Sequence, residues 1–216
     1  MQSPSNTFFG PTITGVVPGR RIVALTFDDG PNLPVTARIL DVLRDERAPA
    51  TFFVVGRAAA RHPEILGRMD REGHAIGNHT WGHVHLNIRS RAAIGRELEA
   101  TDDAIEAATG VRPKLARPPF GARSFLVLDE LKRRGYACVL WSVPLAREWD
   151  GPAPQEIAHR VLDGARDGSI IVLHDGDRGR TTPASRAGTI EATRLIVRGL
   201  RERGLRLVTV SEMLAG

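Results

Sequence analysis

The sequence predicts an α/β fold built on a parallel sheet, and three observations carry that prediction. Seven short apolar runs alternate with segments of helical character from Arg21 onward. The first of these runs is apolar at nearly every position rather than at alternate ones, which is how a strand covered on both faces reads. Polar residues collect immediately past the runs, at the same end of each. Strands alternating with helices demand crossover connections and a parallel sheet. Two architectures satisfy the pattern, a closed or nearly closed β/α barrel and an open doubly wound sheet, and both place their chemistry at the carboxyl ends of strands. At 216 residues the chain reads as one domain, with residues 1–20 as a lead-in segment covering its bottom or edge and 21–216 as the domain itself.

Taken in order, the predicted strands are Ile22–Phe27, Thr51–Val55, Ala75–Asn78, Lys114–Arg117, Ala137–Ser142, Ile170–His174 and Arg206–Val210. The helical segments between them span 33–46, 57–72, 90–109, 123–134, 154–166 and 186–203. Pro34, Pro63 and Pro154 sit near first-turn positions, where a missing N–H is harmless. Ser90 is placed to cap the third helix, which sets Ile94, Leu98 and Ile105 on one face and Glu97, Asp102 and Asp103 elsewhere. Gly73, Gly110, Gly135 and Gly204 fall where helices should end.

Composition narrows the function classes. Hydrophobic residues make up 42% and charged residues 25%, as in ordinary globular proteins. No apolar run approaches the roughly 18–20 residues of a membrane span. Met1-Gln2-Ser3-Pro4 opens without the basic and apolar regions of a secretory signal. Cys138, the single cysteine, lies in an apolar run and reads as a buried small hydrophobe, so no intrachain disulfide is available. The net charge is +5, and all of the 30 basic residues except Lys114 and Lys132 are arginine. The arginines are scattered along helices without aromatic partners, and no nucleic-acid-binding motif occurs, so nucleic acid is not the expected partner. No G-x-S-x-G, C-x-x-C or phosphate-loop glycine pattern is present, which disfavours serine-nucleophile and nucleotide chemistry.

The candidate site residues follow the strands. Asp28-Asp29 close the first, and two adjacent carboxylates at the exit of a buried strand need compensation from a metal, an arginine or helix N-termini. A capping role would occupy only one of them. His79 and His83 follow the third strand at i, i+4, a spacing that on a helical turn puts both imidazoles on one face. Two imidazoles with one carboxylate make a common catalytic metal set with positions left open. His85 rivals His83, and Asn78 and Thr80 are candidate outer donors. His62, His74 and His159 read as structural. Arg117-Pro118-Pro119-Phe120-Gly121, Trp141-Ser142, Glu148-Trp149 and His174-Asp175-Gly176 complete the rim.

Together T-F-D-D-G (26–30), H-T-W-G-H (79–83), R-P-P-F-G (117–121), the W-S-V and E-W pieces (141–149) and L-H-D (173–175) resemble the polysaccharide deacetylase family, carbohydrate esterase family 4. The motifs run in family order over residues 20–213. The resemblance implies a distorted β/α barrel of seven or eight strands. It implies removal of acetyl groups from N-acetylglucosamine polymers or acetylated xylan, with one divalent metal, most often zinc and sometimes cobalt, nickel or iron. By the same resemblance Asp29, His79 and His83 are the metal ligands, Asp28 the general base, Arg117 the residue that orients it and His174 the general acid. Leu173 and Trp149 are expected to wall the acetyl-methyl pocket, and the Phe120 N–H to serve as oxyanion donor. An extracytoplasmic or cell-wall setting is implied as well.

The chain departs from the family pattern in its fourth motif. Glu148 stands where the family usually has aspartate, and Pro144-Leu145 replace a polar position. A glutamate is long enough to reach His174 or Arg117. Phe120 stands where tyrosine is common, which removes a hydroxyl but no backbone donor. The alternative readings are acetylxylan O-deacetylation, cyclic-amide hydrolysis on the same scaffold, and a carbohydrate-binding module with a degenerate site. The loop Asp177–Ala187, basic or Gly/Ser/Thr-rich, carries no information on which glycan binds.

Overall fold

The computed structural model describes residues 10–178 and 186–215. Residues 1–9 of the lead-in and 179–185 of the Asp177–Ala187 loop lie outside the described residues.

Ile22–Asp28 form β1, the centre of the fold. It pairs in parallel with β2 (Thr51–Val54) along Thr26–Asp28, with β6 (Ile170–His174) along Ala24–Asp28, and with β7 (Arg206–Val208) along Ile22–Ala24. Beyond β2 the sheet continues through β3 (Ala75–Asn78), β4 (Leu115–Ala116) and β5 (Ala137–Cys138), all parallel, so the order is β5-β4-β3-β2-β1-β6 with β7 on β1. The sheet curls until its ends approach. Ser142 N–H donates to Ile170 O at 3.0 Å across the gap. Below that contact the lead-in fills the seam: Ile13 bridges Val139, Gly15 bridges Ser169, and Val16 N–H donates to Gly168 O at 3.0 Å. The closed-or-open question is thus answered by a curled, incompletely closed β/α barrel. Helices α1 (Val35–Asp45), α3 (Pro63–Arg71), α4 (Arg91–Thr109), α5 (Phe125–Arg133), α6 (Pro154–Gly164) and α7 (Ala187–Glu202) are its crossover helices, with the single turn α2 (Gly56–Ala59) ahead of α3. Among the described residues no helix is long and apolar enough to cross a membrane.

The two-residue period of a strand sorts side chains between two cores. Odd-numbered Val23, Leu25 and Phe27 of β1 pack outward with the helices, beside Ile171 and Leu173 of β6. Even-numbered Ile22 and Ala24 face the barrel interior with Phe53, Val139, Ile170 and Val208. The same parity carries Thr26 and Asp28 inward above that apolar floor, so the site is an extension of the barrel's interior. Gly77 of β3 is required there: a Cβ would stand 2.6 Å from the Phe53 ring.

Several boundaries differ from the sequence expectation for local reasons. The segment 57–72 is two helices because Pro63 lacks an N–H and turns His62 to φ −133°, ψ 54°. The fourth strand shortens to Leu115–Ala116, and the fifth to Ala137–Cys138 because the chain beyond it bonds to the lead-in and to β6. Val210 is not strand. It opens α8 (Val210–Ala215), capped by Thr209, whose N–H and hydroxyl both donate to Glu212 Oε2 and whose Oγ1 accepts the Glu212 N–H. That is a T-x-x-E capping box, a signal present in the letters but overshadowed by the apolar run. Asp102, expected away from the apolar face of α4, is buried at 5% exposure. Cys138 is buried as expected, and burial pushes its thiol up to about 12.

His74, at the start of β3, is structural as expected. Its Nδ1 accepts the Ala50 N–H at 3.2 Å, and burial pulls its pKa from 6.5 to about 4. The unfolded chain therefore takes up this proton near 6.5 and the folded protein only near 4, so stability is lost as pH falls through that window. The shift caps the effect at about 3 kcal/mol. Thermal unfolding of wild type and His74→Gln across this range should show the wild-type advantage at pH 7 shrinking toward pH 4. A gap that stays constant contradicts the assignment.

Candidate active site

Arg117 sets the frame. It leaves β4 and enters the barrel, where its side chain is fully buried. Its Nη1 donates to Asp28 Oδ1 at 2.6 Å and to Thr26 Oγ1 at 2.8 Å. Nη2 donates to Leu140 O at 2.9 Å and Nε to Val139 O at 3.3 Å. The guanidinium lies 4.1 Å above the Phe53 ring and 5.9 Å from Trp141. Each of its three nitrogens has a partner, which is what lets a charge persist in an apolar barrel.

Asp29 follows at φ +80°, a left-handed turn that swings its carboxylate away from Arg117 and toward the third strand's loop. There the ligand atoms of Asp29, His79 and His83 lie within 4.8 Å of one another, the one cluster among the described residues able to hold a metal. Asp29 Oδ1 stands 3.0 Å from His83 Nε2 and 3.5 Å from His79 Nε2. The two histidines do not share a helical turn. Residues 79–85 are irregular, and Thr80 (φ +67°) and His83 (φ +54°) are left-handed, so the loop doubles back and brings the rings together with centroids 5.1 Å apart. His79 Nδ1 donates to Arg117 O at 2.6 Å, which leaves Nε2 with its lone pair toward Asp29. Burial lowers the pKa of His83, keeping it neutral. Asp29 Oδ1 is buried without a hydrogen-bond donor. Two imine lone pairs and an unsatisfied carboxylate oxygen converging on one point are the donor set of a divalent transition metal, and the residues fit one.

Across the cavity His174, at the end of β6, donates through Nδ1 to Glu148 Oε1 at 2.6 Å. Burial opposes its charged form, but Glu148 outweighs burial, with further help from Asp29 and Asp28, and raises the imidazole to about 9. Glu148 thus reaches His174 and not Arg117. Trp149 stands edge-on to His174 at 5.5 Å and walls the cavity with Leu145, Trp141 and Phe120. The cavity holds about 230 Å³ and has Asp28, Asp29, His79, His83 and His174 in its walls.

One expected wall residue is misplaced. Leu173 is fully buried in the helix-side core, and Val172 lines the cavity instead. Strand parity requires this: with His174 facing in, residue 172 faces in and residue 173 faces out. His85 stays outside the triad and stacks on Phe120 at 5.6 Å. Asn78 works as an outer donor, its Oδ1 accepting the Thr80 N–H at 2.8 Å, while the Thr80 hydroxyl is buried without a partner. Residues given no role from the letters also shape the site. Asp175 accepts the Gly30 N–H at 3.1 Å and the Thr36 hydroxyl at 2.7 Å, bracing the turn that carries Asp29. Burial lifts that carboxyl to about 7. Arg178 and Arg186 line the rim. Asp175 stood in the L-H-D motif; the two arginines carry no local signal.

Comparison with known proteins agrees with this geometry. A sequence model of the family described as polysaccharide deacetylase matches residues 15–139. The chain is 39% identical over 199 residues to a chitooligosaccharide deacetylase of Bradyrhizobium sp. (strain ANU 289), a match covering 89% of this chain and 90% of that protein. It is 36% identical over 204 residues to a peptidoglycan-N-acetylglucosamine deacetylase of Bacillus cereus, covering 94% and 92%. A crystal structure of a peptidoglycan N-acetylglucosamine deacetylase in complex with 4-naphthalen-1-yl-N-oxidanyl-benzamide is similar at a TM-score of 0.87, with 32% identity over 94% of this chain and 92% of that one.

Removing the guanidinium should strand a buried carboxylate. Arg117→Gln is expected to lose about 3–5 kcal/mol in urea unfolding at pH 7, and Arg117→Gln with Asp28→Asn should regain a large part of it. Strict additivity of the two changes would mean the pair is not coupled.

Proposed function

Because the chain belongs to the polysaccharide deacetylase family, we propose that it is a metal-dependent hydrolase that removes acetyl groups from N-acetylglucosamine polymers such as peptidoglycan or chitin. One observation carries the reading: residues far apart in sequence wall a single cavity, with an aspartate paired to a buried arginine on one side and a histidine paired to a buried glutamate on the other. We read residues 21–216 as the catalytic unit and 1–20 as its lead-in. Zinc is the expected ion.

The chemistry follows from the residues. An amide carbonyl is a poor electrophile, and an amine is a poor leaving group. A divalent ion held by Asp29, His79 and His83 supplies Lewis-acid polarisation and a lowered water pKa. Asp28, oriented by the Arg117 guanidinium, takes a proton from the attacking water. The Phe120 N–H, at a left-handed residue on the cavity rim, donates to the developing oxyanion. His174 gives its proton to the departing nitrogen, and Glu148 holds it charged until then. Val172, Leu145 and Trp149 offer apolar contact to the acetyl methyl group.

Acetate release from N-acetylglucosamine oligomers, measured beside metal content, tests the proposal; release from acetylxylan alone would overturn the N-deacetylase reading. Asp28→Asn should lose roughly 10²–10⁴ in kcat and keep its metal, whereas His79→Ala should lose the metal itself. For His174 to act as an acid it must be protonated, so kcat/KM should fall as pH rises through about 9. Glu148→Gln should move that alkaline limb to lower pH, because burial then opposes the imidazolium with only the weaker help of Asp29 and Asp28 against it. An unmoved limb would show that Glu148 does not set the charge of His174.

A further inference from the structure

We propose that Asp102 and Tyr136, two residues outside the cavity, are positioning residues for the metal ligand His79. The inference rests on the metal-site reading above and extends it through the sheet to helix α4.

Asn78 is the last residue of β3 and immediately precedes His79. Its side chain is fully buried and its amide is used at both ends. Oδ1 accepts the Thr80 N–H at 2.8 Å, so one side chain bridges the residues on either side of the ligand. Nδ2 donates to Leu98 O at 2.8 Å and to Asp102 Oδ1 at 2.7 Å, with the Tyr136 hydroxyl at 3.2 Å. The Tyr136 hydroxyl donates to Asp102, 2.5 Å from each carboxylate oxygen. Arg112 Nε closes the outer end, 3.4 Å from Asp102 Oδ2.

The arrangement admits one orientation of the Asn78 amide. A flipped amide would turn its NH₂ onto the Thr80 N–H and its oxygen onto the Asp102 carboxylate. With the amide fixed, the Thr80 N–H is fixed, and the left-handed turn at Thr80 (φ +67°) that returns the loop to His83 is held. On its other side Asn78 O accepts the Arg117 N–H at 2.9 Å, and Arg117 O receives His79 Nδ1–H. His79 is therefore gripped through its ring by Arg117 and through its backbone neighbours by Asn78. Asp102 and Tyr136 decide whether the second grip is rigid. Tyr136 is the only tyrosine of the chain, and nothing in the proposed chemistry uses it.

Zinc affinity of the full chain, read by competition with a chromophoric chelator, tests the role without any substrate. Tyr136→Phe and Asp102→Ala should each weaken zinc binding roughly 10–100-fold, the usual effect of losing an outer partner of a metal ligand. Both should also alter the visible absorption of the cobalt-loaded protein. Asp102→Asn keeps the oxygen that both Asn78 and Tyr136 use, and should restore affinity to near wild type. Thermal unfolding of the metal-free variants separates positioning from folding: if one variant has no cooperative transition, the other decides. Zinc affinity within twofold of wild type and an unchanged cobalt spectrum in a folded variant would overturn the inference. A wild type that binds no zinc would instead sink the metal-site reading on which it rests.

Discussion

The buried Arg117–Asp28 pair is the constraint from which the rest of the site follows. A guanidinium inside a barrel is costly to desolvate, and such pairs rarely add stability over an apolar core of the same shape. Its retention points to geometry. The guanidinium spends its donors on Asp28, Thr26 and two backbone carbonyls, and it lies over the Phe53 ring. The same residue's carbonyl receives the His79 ring proton. One side chain and one peptide oxygen thus hold both the proposed base and a proposed metal ligand against the same strand end.

The rim around this frame is conformationally strained. Asp29, Thr80, His83 and Phe120 all adopt positive φ without being glycine. Each such residue costs on the order of 1–3 kcal/mol, and the state persists only where neighbours over-determine it. Those neighbours are visible. Asp175 and Gly176 brace the Asp29 turn, and a Cβ on Gly176 would stand 2.4 Å from the Asp29 carbonyl carbon. Asn78 braces Thr80, and Phe120 is packed between His83, His85 and Arg178. Strain at the rim is balanced by hydrogen bonds in the wall behind it.

The convergence of Asp28, Asp29, His79, His83 and His174 was legible in the sequence because strand ends in a β/α fold share one face. Element type was legible for the same reason, since each run and helix carried its own period. What was not legible depended on information outside any local window. Which of Val172 and Leu173 faces the cavity is set by the inward register of β6, and only the pairing of Asp28 with His174 reveals it. The His79–His83 spacing suggested a helical turn, yet two left-handed residues achieve the convergence by another path. Asp102 reads as lying away from the apolar face by charge, although its position four residues after Leu98 and three before Ile105 places it on the buried stripe of α4. Its partners, Asn78 and Tyr136, lie 24 and 34 residues away in sequence, beyond any periodicity argument.

In the proposed mechanism two buried pairs of opposite character face each other across one cavity. Arg117 donates to Asp28 on one side, and Glu148 accepts from His174 and presses it toward its cationic form on the other. A carboxylate gripped by a guanidinium and an imidazole gripped by a carboxylate divide the roles of base and acid before any substrate arrives. A divalent cation held by Asp29, His79 and His83 would offset the part of the imidazolium's stabilisation that comes from Asp29 and Asp28, which leaves Glu148 as its main support. A carboxylate is therefore needed at position 148 on electrostatic grounds. Glutamate meets that need through its reach, with Oε1 at 2.6 Å from the ring nitrogen.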